Sequence, residues 1–223
     1  TYSAWAVREA SGISEGDKLL TFSKIRAASQ IMANLPYVKG VRSGIKLPDT
    51  VNIMIEEESV VYAIKSSDGQ WWMMDSDGRV VEQANNAKAA TATQVLGVTL
   101  EAPTVNEKGV ATEMTPSETN ELGELIPVST TGAQRLTAAL QILKALENND
   151  IVGEAASVDV TSTEDIILWY GTRYQVNLGD TSRLDYKVDC MNDAILQMSD
   201  YQSGVLDISF TIWPNQVGYT PFA

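Results

Sequence analysis

The sequence predicts an α+β fold in two domains, 1–58 and 59–223. Three observations carry that reading. Two helix-like stretches precede two strands before Glu58. A meander of short strands separated by Asp-Gly pairs begins after it. Two further helices, each with a single apolar stripe, then accompany another set of strands, which is the pattern of helices segregated against a mainly antiparallel sheet.

The first domain follows from local signals. Ser3 can cap a helix over the opening ten residues, with Trp5, Ala6 and Ala10 facing inward. A turn-rich break, Gly12-Ile13-Ser14-Glu15-Gly16-Asp17, precedes a second helix over 23–34, where Ile25, Ala28 and Met32 are spaced as one face. Pro36 stops it, because the residue before a proline is pushed into extended conformations. Residues 38–45 and 50–57 read as strands joined by Lys46-Leu47-Pro48-Asp49, and Val51, Ile53 and Ile55 alternate along the second. A lone hairpin is marginal in water, so this pair must lean on other elements.

The second domain opens with strands over 60–64, 71–74 and 79–82, separated by Ser67-Asp68-Gly69 and Ser76-Asp77-Gly78. Asp-Gly supplies the positive φ angles that tight hairpins require. Residues 84–93 are small and polar, a loop, and 94–100 a strand. The stretch 103–127 holds five glutamates and one lysine, and reads as a long, mobile acidic loop. A helix over 132–148 carries Leu136, Ala139, Leu140, Leu143 and Leu146 on one stripe. Strands over 158–161, 166–170 and 174–178 follow. Ser182 and Asp185 have capping-box spacing for a helix to about Asp200, with Leu184, Val188, Met191, Ile195 and Met198 along it.

After that helix, Leu206, Ile208, Phe210 and Ile212 alternate with Asp207, Ser209 and Thr211. This is a strand with one buried face. Pro214, Asn215, Gly218 and Pro221 break any continuation, so it is expected to be the last strand and to lie at a sheet edge. An edge offers unpaired N–H and C=O groups to any chain that extends alongside.

Composition points the same way, toward docking and away from catalysis. The chain of 223 residues is 44% hydrophobic and 20% charged, with 29 acidic against 16 basic side chains and a formal net charge of -13. That charge repels phosphate backbones, so no nucleic acid is expected as a partner. Histidine is absent, which removes His-based triads and His metal ligands. The single cysteine, Cys190, falls inside a helical pattern and excludes an intrachain disulfide. Asp75-Ser76-Asp77-Gly78 resembles a calcium loop, but an EF-hand needs glycine at its sixth position and glutamate at its twelfth, where Val80 and Asn86 stand. Consecutive glutamates in Glu56-Glu57-Glu58 cannot alone form a glycosidase acid pair, since adjacent residues on a strand point to opposite faces, and they read as solvated edge charge. Ser129-Thr130-Thr131-Gly132 lacks the lysine of a phosphate loop and reads as a plain helix cap. No catalytic residue, cofactor or metal site is expected.

Several stretches, in order, resemble the FtsQ/DivIB family of bacterial cell-division proteins. Ser11-Gly12-Ile13, Gly16-Asp17, Leu35-Pro36-Tyr37-Val38, Leu47-Pro48-Asp49-Thr50-Val51 and Ile55-Glu56-Glu57 resemble its POTRA domain. Val158-Asp159-Val160, Leu184-Asp185-Tyr186-Lys187 and Leu206-Asp207-Ile208-Ser209-Phe210 resemble its β-domain. The resemblance implies a small POTRA-like domain over 1–58, its first strand missing, and a β-domain over 59–223. It implies a fragment of a single-pass protein, whose cytoplasmic tail and one N-terminal membrane helix would precede this extracytoplasmic part at the division septum. It further implies a non-enzymatic divisome scaffold that binds FtsL-like and FtsB/DivIC-like coiled-coil proteins by strand addition. The site carried over is Asp207, Ile208, Ser209, Phe210, Thr211 and Ile212, with Phe210 at the family's aromatic position. Two other readings are a different extracellular POTRA-type binding or chaperone module, against which the β-domain phrases speak, and an acidic cell-wall hydrolase, which would need an acid pair.

Overall fold

Two serines open the chain's first helices. Ser3 Oγ accepts the Ala6 N–H to start α1 (Ala4–Ser11), and Ser23 Oγ accepts the Arg26 N–H to start α2 (Lys24–Asn34). The computed structural model describes residues 2–18, 22–58, 61–113, 118–119, 125–126, 130–211 and 215–222. These fall into two compact units, Thr1–Val60 and Val61–Ala223.

In the first unit, α1 ends at Gly12, whose left-handed φ of 66° closes the helix on Glu9 O. Strands β1 (Val38–Lys46) and β2 (Thr50–Glu57) pair antiparallel. The hairpin leans on the helices. Val41, Ile53 and Ile55 pack on a core of Val7, Ala10, Ile31, Leu35 and Val38. The inward helical faces differ in part from the expected ones, for Ala10 is buried as expected but Trp5 and Ile25 are not. Trp5 is 68% and Ile25 81% exposed, while Val7 and Ala10 of α1 and Ala27 and Ile31 of α2 are buried. At about 100° per residue, a side chain two positions from a buried one points to the opposite face. Both helices are short and apolar on more than one side, so their own pattern could not choose.

The second unit is built on a nine-stranded sheet. Its elements are β3 (Tyr62–Ser66), β4 (Trp71–Met74), β5 (Val80–Ala84), α3 (Asn86–Ala89), β6 (Gln94–Leu100), β7 (Glu118–Thr119), β8 (Leu125–Ile126), α4 (Gly132–Asn148), β9 (Ala155–Asp159), β10 (Ile166–Tyr170), β11 (Tyr174–Gly179), α5 (Leu184–Leu196), β12 (Gly204–Asp207) and β13 (Gly218–Pro221). The strand order is β13-β12-β11-β10-β9-β6-β3-β4-β5, with β7 and β8 as a separate pair. Pairing is mainly antiparallel, but β6 runs parallel to both β3 and β9, and β12 parallel to β11. The fold is α+β.

Register fixes the core. Ile64, Val95, Val158, Leu168, Val176 and Leu206 are cross-strand partners in succession and are all buried. Helices α4 and α5 pack on each other, α4 also meets β6 and α5 meets β11, so both cover this face. Tyr62 shows the facing directly, since its hydroxyl reaches Leu143 O and Glu147 Oε1 on α4. Burying each such Val, Leu or Ile contributes about 1.5 to 3 kcal/mol. On the reverse face α3 packs against β3 and β4, while Trp169, Gln175 and Val205 remain half-buried.

Local chemistry explains several turns. The Asp75 carboxylate, in the stretch whose likeness to a calcium loop fails, closes the turn by accepting the N–H groups of Asp77 and Arg79 and the Arg79 Nε. Gly69 and Gly78 take φ of 82° and 84° in the two Asp-Gly turns. Thr131 caps α4 through a full capping box with Gln134.

Five expectations are corrected. The loop read at 84–93 contains α3, capped by Asn85. The acidic stretch is tied down along 104–113: Asn106 N–H donates to Val80 O, Gly109 N–H to Gly78 O and Thr112 N–H to Thr99 O, each at 2.8 Å. Acidic composition describes side chains, and these bonds use the backbone. Beyond 113 most of that stretch lies outside the described residues. Ser182 does not cap α5, because its hydroxyl bonds Asp180 Oδ1 and Arg183 enters the helix at a φ of 55° without a side-chain cap. Helix α5 stops at Leu196, short of Asp200. Finally, the strand expected over 205–213 ends at Asp207, and β13 follows it in the sheet, so it lies next to the edge and not at it.

Candidate interaction edge

The end of the sheet is shaped by alternation in β12. Gly204 N–H donates to Arg173 O and Ile208 N–H to Asn177 O, so residues 204, 206 and 208 turn their backbone groups toward β11. The groups of Val205 and Asp207 therefore point outward, to β13, where their partners are Thr220 and Gly218. Phe222 N–H extends this ladder to Ser203 O at 3.1 Å.

Past Asp207 the chain leaves the sheet. Asp207 Oδ1 accepts both the N–H (3.0 Å) and the hydroxyl (2.7 Å) of Ser209, and Ser209 Oγ in turn accepts the Thr211 N–H at 3.3 Å. Such a short side chain bonding two residues ahead competes with a continuing strand. Phe210 lies at a φ of 58°, a left-handed conformation that ends regular pairing. Gly179 makes room for this turn: a Cβ there would stand 2.8 Å from Ser209 Cβ.

The six expected site residues thus separate. Ile208 is fully buried, so its side chain belongs to the core. Asp207, Ser209 and Phe210 form the turn just described, and Thr211 is exposed. Ile212 lies outside the described residues.

The fold adds residues that the strand pattern did not reach. The Phe210 ring lies 5.7 Å from that of Tyr186, and the Arg183 guanidinium sits 4.4 Å above Tyr186 and 5.7 Å from Phe210. Arg183 Nη1 also donates to Asn215 Oδ1 at 3.0 Å. Cation–π contacts of this kind contribute about 0.5 to 1 kcal/mol at exposed sites. Lys187 holds the start of α5 in place. It is 1% exposed, and its Nζ donates to Leu178 O, Asp180 O and Asp180 Oδ1 at 2.8 to 2.9 Å. The only sequence signal for this was Leu184-Asp185-Tyr186-Lys187 within a helical pattern, which places Lys187 beside Val188 on the inner face.

The Lys187 ammonium, and then the Ser182 hydroxyl, hold the Asp180 carboxyl below its ordinary 3.8, at about 2. A carboxyl depressed on folding stabilises the fold above its unfolded pKa and loses that contribution as pH falls through its folded one. The stability gap between the parent and Asp180→Asn is therefore expected to be constant above about pH 4. It should close between there and about 2, read from urea midpoints across pH. The gap is small, because the Asp180 side chain is 58% exposed.

Comparison with known proteins gives one family and two relatives. Residues 1–58 match the POTRA domain, FtsQ-type. Over 208 residues the chain is 23% identical to cell division protein DivIB of Clostridium tetani, covering 92% of this chain and 70% of that protein. Over 92 residues it is 28% identical to cell division protein DivIB of Clostridium acetobutylicum, covering 41% of this chain and 36% of that protein.

Proposed function

We propose that this chain, whose residues 1–58 match the FtsQ-type POTRA domain and which is similar to DivIB over 92% of its length, is a non-enzymatic scaffold of the divisome of the FtsQ/DivIB kind that docks partner proteins by strand addition at β12. The partners are FtsL-like and FtsB/DivIC-like coiled-coil proteins. The full-length protein is anchored by one membrane helix that precedes this chain, and this part works on the extracytoplasmic side at the septum. Among the described residues no helix is long and apolar enough to cross a membrane.

One observation carries the reading. Among the described residues, the outward backbone groups of Val205 and Asp207, near the end of a nine-stranded sheet, are covered by a strand of four residues. Beside them, Asp207, Ser209, Phe210 and Thr211 present one turn to an incoming segment, with Ile212 following in the chain. Backbone pairing supplies affinity in strand addition, and flanking side chains choose the partner.

Proline substitutions test this, since proline removes one N–H and crowds the neighbouring strand. The Thr211 N–H bonds Ser209 Oγ off the ladder, so the informative positions are Val205 and Asp207. Val205→Pro and Asp207→Pro are each expected to stay folded by circular dichroism. Both should lose more than ten-fold affinity for the extracytoplasmic part of the DivIC-like protein of the same organism. Unchanged affinity in both folded variants would refute strand addition here.

A further inference from the structure

We infer that β13 is a built-in stand-in for the partner strand, and that it must leave β12 before the partner pairs there. This rests on the strand-addition reading above and concerns which edge the partner uses.

Hydrogen-bond parity makes the outer side of β13 a poor template. Thr220 and Gly218 face β12 with their backbone groups, as Phe222 does through Ser203. The outward positions of β13 are therefore Tyr219 and Pro221. Proline has no N–H, so this edge offers one outward donor, at Tyr219, along the whole strand. Such short, proline-bearing strands are how natural sheets refuse a further strand. The outward side of β12 has no such defect: Val205 and Asp207 each present an N–H and a C=O, and Ser203 O continues the row. The edge fit for a partner is the one that β13 occupies.

The attachment of β13 is shallow. Thr220, Pro221 and Phe222 are exposed, and Gly218 and Tyr219 only half-buried. Its side-chain anchors are the Tyr219 hydroxyl on Ser203 O at 3.1 Å and the Phe222 ring, stacked 6.2 Å from Trp169 on the open face. In contrast, β12 is held from within by buried Leu206 and by Ile208 just after it. Removing β13 leaves that core intact.

Gly204 is shaped to the stand-in. A Cβ there would meet Thr220 O at 2.3 Å, the Tyr219 ring at 2.8 Å and Pro221 Cα at 2.9 Å. These three nearest atoms all belong to β13. A methyl at this position therefore presses first on β13.

The test clamps or loosens β13 and measures binding of the same DivIC-like fragment. Val205 and Thr220 are facing partners, so Val205→Cys with Thr220→Cys, in a Cys190→Ala background, forms a cross-strand disulfide. The oxidised protein is expected to bind at least ten-fold more weakly than the same protein after reduction. Gly204→Ala, which needs no disulfide, is expected to bind several-fold more tightly than the parent and to speed amide exchange at Val205 and Asp207. Equal binding by oxidised and reduced clamp, or a folded Gly204→Ala that exchanges faster without binding more tightly, would overturn the stand-in. If the clamp has no effect while Val205→Pro and Asp207→Pro abolish binding, only the stand-in falls. If those prolines leave binding unchanged, the strand-addition reading falls first and takes the stand-in with it.

Discussion

Replacing Lys187 with alanine is expected to destabilise the second unit by about 2 to 4 kcal/mol, read as a lower urea midpoint with an unchanged slope. The lysine is buried, yet its ammonium is fully used: two backbone carbonyls and one carboxylate surround it. Alanine removes all three bonds and strips Leu178 O of this donor inside the fold. A buried acceptor left without its donor costs about 1 to 3 kcal/mol, and the lost packing of the four-carbon stem adds to it. Water can reach the exposed Asp180 carboxylate, which keeps the total below that of a fully buried pair. Lys187→Met separates the two contributions, since it restores the stem but none of the hydrogen bonds. It should recover only part of the loss. An unchanged midpoint in both variants would show that the start of α5 does not depend on this ammonium. A functional consequence follows, because α5 carries Arg183 and Tyr186 against Phe210.

Gly97→Ala is expected to cost about 3 kcal/mol or more, enough to lower thermal stability visibly. Gly97 takes a φ of 81° within β6, where a side chain adds about 1 to 2 kcal/mol of backbone strain. Its Cβ would also stand 2.2 Å from Thr161 N and 2.6 Å from Thr161 Cα. Those are backbone atoms, which cannot rotate aside. The position is a kink in the ladder: Val95 pairs with Ile64, but the next pair with β3 is Thr99 with Lys65. The kink lets Leu96 O accept the Val160 N–H at 3.0 Å, and Gly97 O accept Arg135 Nη1 at 3.2 Å. Moving Thr161 to admit a methyl disturbs both. A variant that melts with the parent would mean that this crossing is softer than its distances.

The sequence by itself determined the elements whose signals are local. Serine and threonine caps, Asp-Gly turns and period-two alternation act within a few residues, so α1, α2, α4, the two N-terminal strands and the central strands were legible. So was the burial of Leu206 and Ile208, since alternation says which side chains turn inward. It could not say where the alternation ceases to be a strand. Leu206 to Ile212 keeps its period in the sequence, but Asp207 captures Ser209 and Phe210 turns left-handed, and these bonds cost the pattern nothing. Only the tertiary structure decided the edge. Four residues, Gly218–Pro221, are too few to announce a strand, and they become one because β12 leaves a row of backbone groups that need partners. The same holds for Arg183, Tyr186 and Lys187. Their roles depend on which strand end α5 is folded against, a contact between distant segments that no local period encodes.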